Sequence, residues 1–343
     1  MPGKYTVVMS TKKQTESGED CLIARYFAPI AKHPGACGLT DDAAAIAPPS
    51  GCDLVLTADG IVGGVHFFPD DPPDAVAKKA LRVNLSDLAA KGASPLGFLL
   101  TLALPKEIGE TWLTAFARGL GEDADLFGCP LLGGDTVRTP GPVTISVAAF
   151  GAVPHGKTIR RAGSKPGDRV VVTGTIGDAA LGLLLRRDAG AATLWGLDRD
   201  QRDHLAARYL VPQPRSAIAA FLGSYATAAM DVSDGLAGDL AKLCRASGVG
   251  AEIAVARVPL SDAARIAVAK EPALIETIVA GGDDYEVLAC VPAAKVEALR
   301  REASAAGVAF TEIGTVIAGE GEARFLKPDG KPLALAQTSY SHF

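Results

Sequence analysis

At five places in this chain an aspartate stands beside a glycine or a second aspartate at the border of a short apolar run: Asp41-Asp42, Asp59-Gly60, Gly133-Gly134-Asp135, Asp231-Val232-Ser233-Asp234-Gly235 and Gly281-Gly282-Asp283-Asp284. Any one of these reads as a solvated turn, because aspartate and glycine are ordinary turn formers. Their recurrence is more constraining. The segments between them alternate between strand-like apolar runs and helical periodicity. The chain is therefore expected to be a mixed α/β (α+β) protein with carboxylates where loops leave strands, the place where such folds build sites.

The helical signal is clearest over Asp74–Lys91, where Ala77, Leu81, Leu85 and Leu88 form an apolar stripe. Ala80, Asn84, Asp87 and Lys91 form the stripe beside it, which puts Asp87 at the edge of the buried face. Helices are also expected over Cys21–Ala31, Glu110–Leu126, Asp178–Arg187, Leu236–Ser247 and Ala293–Ala306. Strands are expected over Leu54–Thr57, Phe98–Leu104, Pro130–Leu132, Val143–Gly151, Arg169–Thr173, Ala228–Val232 and Tyr285–Val291. With 343 residues, two domains are the default. The glycine, proline and basic residues of Pro154–Asp168 mark the boundary, which gives parts 1–153 and 154–343.

A net charge of −5 offers no broad basic surface, so neither nucleic acid nor an anionic membrane is an expected partner. The longest apolar stretch, around Gly97–Leu104, is too short to span a bilayer, and Met1–Asp20 lacks the apolar core of a signal peptide. The six cysteines form no C-x-x-C pair and read as buried, reduced thiols. A cytoplasmic location follows as the expectation.

Aspartates with an ordinary pKa of about 3.9 are ionised at neutral pH, and two of them ~4 Å apart repel by roughly 4 kcal/mol at an effective dielectric near 20. Convergence would require bound cations. Magnesium suits such a set, because it takes oxygen ligands, keeps some waters and bridges carboxylates to phosphates. No regular calcium-loop spacing is present. The local alternatives stay open: Asp87 can pair with Lys91 one turn later, and His66, between Gly63-Gly64 and Phe67-Phe68, suits a packed core as well as a ligand contact.

Gly151-Ala152-Val153-Pro154-His155-Gly156-Lys157-Thr158 satisfies the Walker A pattern and raises a P-loop NTPase as an alternative. Pro154 would remove one N–H from the phosphate cradle, and Gly163, Pro166 and Gly167 follow before two helical turns can form. This segment is expected to connect the two parts instead.

Over nearly its whole length the chain resembles the thiamine-monophosphate kinases, of the superfamily that includes aminoimidazole-ribonucleotide synthetase and selenophosphate synthetase. The resemblance rests on Leu22-Ile23-Ala24-Arg25-Tyr26-Phe27, Asp41-Asp42-Ala43, Asp59 with His66, Asn84-Leu85-Ser86-Asp87-Leu88-Ala89-Ala90 and Gly133-Gly134-Asp135-Thr136. Arg161-x-Gly163-x-x-Pro166-Gly167-Asp168, Asp231-x-Ser233-Asp234-Gly235 and Tyr340-x-His342-Phe343 continue it in the same order. It implies a two-domain, aminoimidazole-ribonucleotide-synthetase-like architecture with an amino-terminal dimerisation domain, and a homodimer.

It also implies roles. The aspartates at Asp42, Asp59, Asp87, Asp135 and Asp231 match carboxylates that hold several magnesium ions around the ATP phosphates, with Asp234 holding a further one and Thr57 a hydroxyl ligand. Gly134, Asp135, Arg161 and Ser233 match ATP contacts, whereas His66, Asp283 and Tyr340 match contacts to thiamine monophosphate. Three positions depart from the pattern: Thr40 replaces a glycine, Ala58 a threonine or serine, and Asp283 a glutamate. Ala58 still offers a backbone carbonyl to a metal. The implied reaction is ATP plus thiamine monophosphate giving ADP plus thiamine diphosphate by direct transfer. Another ATP-using enzyme of the superfamily, or an acidic protein that only binds divalent cations, is the competing reading.

Overall fold

The computed structural model describes residues 18–188 and 190–339. The short helix α1 (Gly18–Leu22) runs into a π turn over Ile23–Phe27 and a 3-10 turn over Ala28–Ile30. The regular helix expected over Cys21–Ala31 is thus broken, and Pro29, which lacks an N–H, sits in its last turn.

A four-stranded sheet follows, built from β1 (Cys52–Val62), β2 (Ser94–Leu104), β3 (Leu131–Arg138) and β4 (Thr144–Pro154) in the order β1-β4-β2-β3. β4 is antiparallel to β1 and β2, while β2 and β3 are parallel. That parallel pair needs a crossover, which α3 (Glu110–Leu126) supplies; α2 (Pro73–Ala90) links β1 to β2. Phe98, Leu100 and Leu102 alternate inward with period two and bury against Leu81, Leu85 and Leu88 of α2 and Phe116 and Leu120 of α3.

The second sheet has six strands, β5 (Arg169–Thr173), β6 (Ala228–Asp231), β7 (Gly250–Ala254), β8 (Val287–Val291), β9 (Phe310–Ile317) and β10 (Ala323–Leu326). Their order is β10-β7-β9-β5-β8-β6, and only β10 and β7 pair in parallel. Around it lie α4 (Asp178–Arg187), α5 (Ala191–Trp195), α6 (Arg199–Leu210), α7 (Ala219–Leu222), α8 (Leu236–Ser247), α9 (Asp262–Lys270), α10 (Leu274–Ala280) and α11 (Val296–Ala305). Val170 and Val172 face a core with Leu240, Leu243 and Ile278, whereas Val171 faces Ile218, Leu222 and Leu299 on the other side.

Helix α2 joins the two sheets and is buried on nearly every side, including Lys79, Arg82, Asn84 and Ser86. Buried polar groups require partners, and these supply the bridges. Arg82 holds Asp123 of α3 at 2.5 and 2.9 Å and donates to the Pro212 carbonyl at 3.0 Å. Lys79 reaches Asp283 at 2.8 Å, and Lys91, just past the helix, donates to the Ala229 carbonyl at 2.9 Å.

Two expectations need correction. Asp59-Gly60 and Gly133-Gly134-Asp135 lie inside β1 and β3, not at strand ends. Both strands are sheet edges, and Gly134 can continue β3 because its φ of 156° places the missing Cβ 1.8 Å from the Leu100 carbonyl oxygen, which only glycine tolerates. The thiols also differ: Cys129, Cys244 and Cys290 are buried and Cys52 half-buried, but Cys21 and Cys37 are exposed.

Candidate active site

A cavity of about 580 Å³ lies between the two sheets, with Asp59, His66, Asp87, Arg161, Asp231, Ser233, Asp234 and Asp283 in its wall. They arrive from several elements. Asp59 comes from β1, where its N–H donates to Asn84 Oδ1 at 3.1 Å. Asp87 comes from α2 and accepts the hydroxyl of Thr57, while Lys91 is turned away to the Ala229 carbonyl. The Asp87–Lys91 pair is therefore not formed. Asp231 ends β6, and Ser233 and Asp234 follow it into the turn before α8.

That turn is held by Asp239, a fully buried residue that accepts from the Ser233 and Asp234 N–H groups at 3.0 and 2.9 Å. Lys242 donates to both Asp234 and Asp239. The Arg161 segment is pinned from α8 as well: Ser247 Oγ donates to the Arg161 carbonyl at 3.0 Å and accepts from the Gly163 and Ser164 N–H groups. His66 Nδ1 accepts the Val62 N–H at 3.0 Å, which places the proton of the neutral ring on Nε2.

The Gly281–Glu286 loop is strained. Asp283 and Tyr285 have φ values of 69° and 51°, left-handed conformations that cost a non-glycine residue about 1–2 kcal/mol each. Buried acids on either side hold it. Asp284 accepts the Gly177 N–H on both oxygens at 2.9 Å, and Glu286 takes Arg208 at 2.8 Å, Thr173 at 2.6 Å and Arg215. Gly282 packs so closely on the Ser233 carbonyl that a Cβ would stand 2.3 Å away, and the Asp283 N–H donates to the same carbonyl at 2.8 Å. The loop is thereby docked on the Ser233 turn.

Like charges gather in this wall with few cations. Enclosure by the protein, then repulsion from Asp87 and Asp234, push the Asp59 carboxyl up to about 6, although water reaches it through the cavity mouth. Burial, followed by Asp87, raises Asp231 well above the usual range; the Ser86 hydroxyl opposes this, and Asp239 and Asp59 add to it. Burial and the neighbouring Arg161 charge lower Lys91. Such a donor set calls for added positive charge. Among the described residues, however, no three His, Cys, Asp or Glu side chains stand close enough to hold one ion as a set. The arrangement fits a cation that takes one or two carboxylates and completes its shell with water and phosphate oxygens, which is the habit of magnesium.

Asp42, Gly134 and Asp135 lie elsewhere, in a cavity of about 540 Å³ with Asp41, Thr101 and Phe150. Asp59 pairs with Val147, Val147 with Leu100, and Leu100 with Gly134, so Asp59 and the Asp135 region are three strand steps apart, roughly 14 Å. Asp135 is registered with the exposed Thr101, whereas the Asp59 row contains the buried Val147 and Leu100. The pleat thus turns Asp59 and Asp135 to opposite faces of the sheet. Ala58 also alternates away: because the Asp59 N–H points off the ladder to Asn84, the Ala58 carbonyl is turned toward β4. Tyr340 lies outside the described residues.

Lys79, Asp239, Lys242 and Ser247 are site-shaping residues that motif reading passed over. The only local signal was Asp239, an acid in the first turn of a helix beside backbone N–H groups. The P-loop alternative fails on geometry. Gly151–Pro154 closes β4, the Lys157 N–H turns back to the Pro154 carbonyl at 2.9 Å, and no helix starts at Lys157-Thr158.

Comparison with known proteins agrees with this architecture. Residues 40–153 match the AIR synthase related protein N-terminal domain and residues 165–327 the corresponding C-terminal domain. A thiamine-monophosphate kinase of Caulobacter vibrioides is 41% identical over 324 residues, spanning 93% of this chain and 89% of that protein. The crystal structure of thiamine-monophosphate kinase from Stenotrophomonas maltophilia superposes with a TM-score of 0.78 at 37% identity, covering 86% of this chain and 91% of that one. AaThiL complexed with AMPPCP and TMP superposes with a TM-score of 0.73 at 32% identity, covering 88% and 91%. The mixed α/β, two-domain architecture, the ordered motifs and these matches lead to one assignment: the chain belongs to the thiamine-monophosphate kinase family of AIR synthase related proteins.

Proposed function

We propose that this chain transfers the γ-phosphoryl group of ATP to thiamine monophosphate, giving ADP and thiamine diphosphate. The observation that carries this reading is the convergence of Asp59, Asp87, Asp231 and Asp234 with Arg161, His66 and Asp283 on one cavity. Its support from outside the chain is a 32% identical relative that binds an ATP analogue together with TMP.

The acceptor phosphate has a second pKa near 6, so at neutral pH its attacking oxygen is mostly ionised and no general base is required. What the protein must supply is alignment and positive charge around in-line oxygens. Arg161 gives a planar, multi-donor group for nucleotide phosphates, beside Ser233. His66 and Asp283 stand across the cavity as acceptor contacts, and Tyr340 is assigned to the same role. Asp59, Asp87, Asp231 and Asp234 would hold magnesium, with Thr57 fixing Asp87; the bound ions would supply positive charge to offset that of the phosphates. Asp42, Gly134 and Asp135 are assigned to nucleotide and metal binding on the open face of the sheet, whereas Ala58, with its carbonyl turned toward β4, is left out of the metal set.

The division of labour is between residues 1–153, contributing the first sheet and α2, and residues 154–343, contributing Arg161 and the Asp231 and Asp283 turns. Exposed Leu54 and Leu56 on the open face of β1 favour pairing with a second copy, hence a homodimer. No described helix is long and apolar enough to cross a membrane; a cytoplasmic location is part of the proposal. Phosphorus NMR of a reaction with ATP, magnesium and thiamine monophosphate tests the reading. New diphosphate resonances from the thiamine product support it; ATP hydrolysis to inorganic phosphate alone refutes it.

A further inference from the structure

We propose that Lys79 is a positioning residue for the acceptor subsite, fixing the carboxylate of Asp283 and the His66 segment from behind the cavity wall. This rests on the kinase reading above and goes beyond it, since no motif used for that reading includes Lys79.

The observation is a cation with almost no access to water. The Lys79 side chain is 2% exposed, its Nζ lies 2.8 Å from Asp283 Oδ2 and 3.0 Å from the His66 carbonyl oxygen, and it sits 4.2 Å from the centroid of the Tyr209 ring. Two of its three donors are thus spent on oxygens, and the ammonium faces an aromatic ring, an attraction that strengthens when desolvated. His66, Tyr209 and Asp283 all line the cavity, so one buried charge ties three parts of its wall together.

Asp283 needs such an anchor more than its neighbours do. Its backbone is left-handed, its side chain is short, and its other oxygen has only a 3.3 Å contact from the Tyr285 hydroxyl. With Oδ2 held by Lys79, the remaining edge of the carboxylate is presented to the cavity. Without Lys79, a largely enclosed carboxylate loses its cation, and the strained loop loses a contact that offsets its conformation.

Steady-state kinetics of Lys79→Met, Lys79→Arg, Asp283→Asn and the double variant Lys79→Met/Asp283→Asn test this, varying ATP and thiamine monophosphate separately. Lys79→Met is expected to raise the acceptor KM about 30-fold while the KM for ATP stays within about threefold, as loss of one partner of an enclosed charge pair implies. Lys79→Arg should recover part of the loss. Measured against Asp283→Asn alone, the double variant should show little further rise in acceptor KM, because Lys79 acts through that carboxylate. If Lys79→Met does not fold, the double variant, which leaves no unpaired charge, and Lys79→Arg carry the same comparison of KM values. An unchanged acceptor KM, or equal rises in both KM values with Lys79→Arg no better than Met, overturns the proposal. A wild-type protein that does not convert thiamine monophosphate would instead refute the kinase reading itself.

Discussion

Thr57 on β1 donates its hydroxyl to Asp87 on α2, so the carboxylate faces the cavity and leaves Lys91 one turn away without it. Asp87 is therefore oriented for bound charge. Replacing it by asparagine keeps the shape and the Thr57 contact but removes the charge. Asp87→Asn should lower kcat by about two orders of magnitude or more with a change in Tm of only a few degrees. Near-wild-type turnover would return Asp87 to a structural role.

Asp59 carries a stability consequence of opposite sign. Its carboxyl is raised to about 6 by enclosure and by its acidic neighbours, so the folded state resists its ionisation more than the unfolded state does. Stability attributable to this group falls as pH rises from about 4 through 6. At pH 7.5 in EDTA, Asp59→Asn should raise Tm by about 1–4 °C. It should also reduce the further rise that magnesium with a non-hydrolysable ATP analogue gives the wild type. A fall in Tm in EDTA would contradict the repulsion.

The Asp178–His204 pair predicts a pH-dependent contribution far from the chemistry. His204 Nε2 stands 3.0 Å from Asp178 Oδ2, and this hydrogen bond raises the histidine above its ordinary value despite partial burial. Burial pushes Asp178 upward, but hydrogen bonds from His204, Ser261 and Thr175 outweigh it and hold the carboxyl below its usual range. The stabilisation from the histidine is present in full below about pH 6.5 and is lost as pH rises through its raised pKa; that from the aspartate is present above about pH 4 and is lost on acidification. The Tm difference between wild type and His204→Gln should be largest near about pH 5.5 and shrink by about pH 9. A difference that grows with pH would contradict the pairing. Because His204 is substantially exposed, the effect will be small.

Lys157→Ala should retain most of the activity, since Lys157 lies in a turn after β4 with no helix behind it. Arg161→Ala should lower kcat/KM for ATP by about a hundredfold, near 2.7 kcal/mol of transition-state stabilisation. If Lys157→Ala proves the more damaging, the nucleotide is held by the Walker-like segment after all.

Glu110–Leu126, Asp178–Arg187 and Leu236–Ser247 were legible to the residue because each shows helical periodicity with clear ends. β3 extends beyond the expected Pro130–Leu132, since Gly133 and Gly134 continue it at a sheet edge, where close approach to Leu100 selects glycine at position 134. The charged helix Arg199–Leu210 was missed: its apolar stripe is weak, and Asp198 with Gln201 forms its capping box. In the site, the recurrent aspartate motifs contribute Asp59, Asp231, Asp234 and Asp283 to the cavity wall. Motif order could not show that pleat parity separates Asp59 from Asp135, nor that Lys79 meets Asp283 across 204 residues of sequence. Such relationships depend on strand order and on helix α2 being buried on both sides.

The most direct test of the central claim is ADP release measured in a coupled assay with ATP and magnesium, comparing thiamine monophosphate with thiamine. The account predicts magnesium-dependent turnover with the monophosphate, abolished by EDTA, and little or none with thiamine, which lacks the ionised phosphate nucleophile. Equal turnover of both compounds, or turnover that survives EDTA, would contradict it.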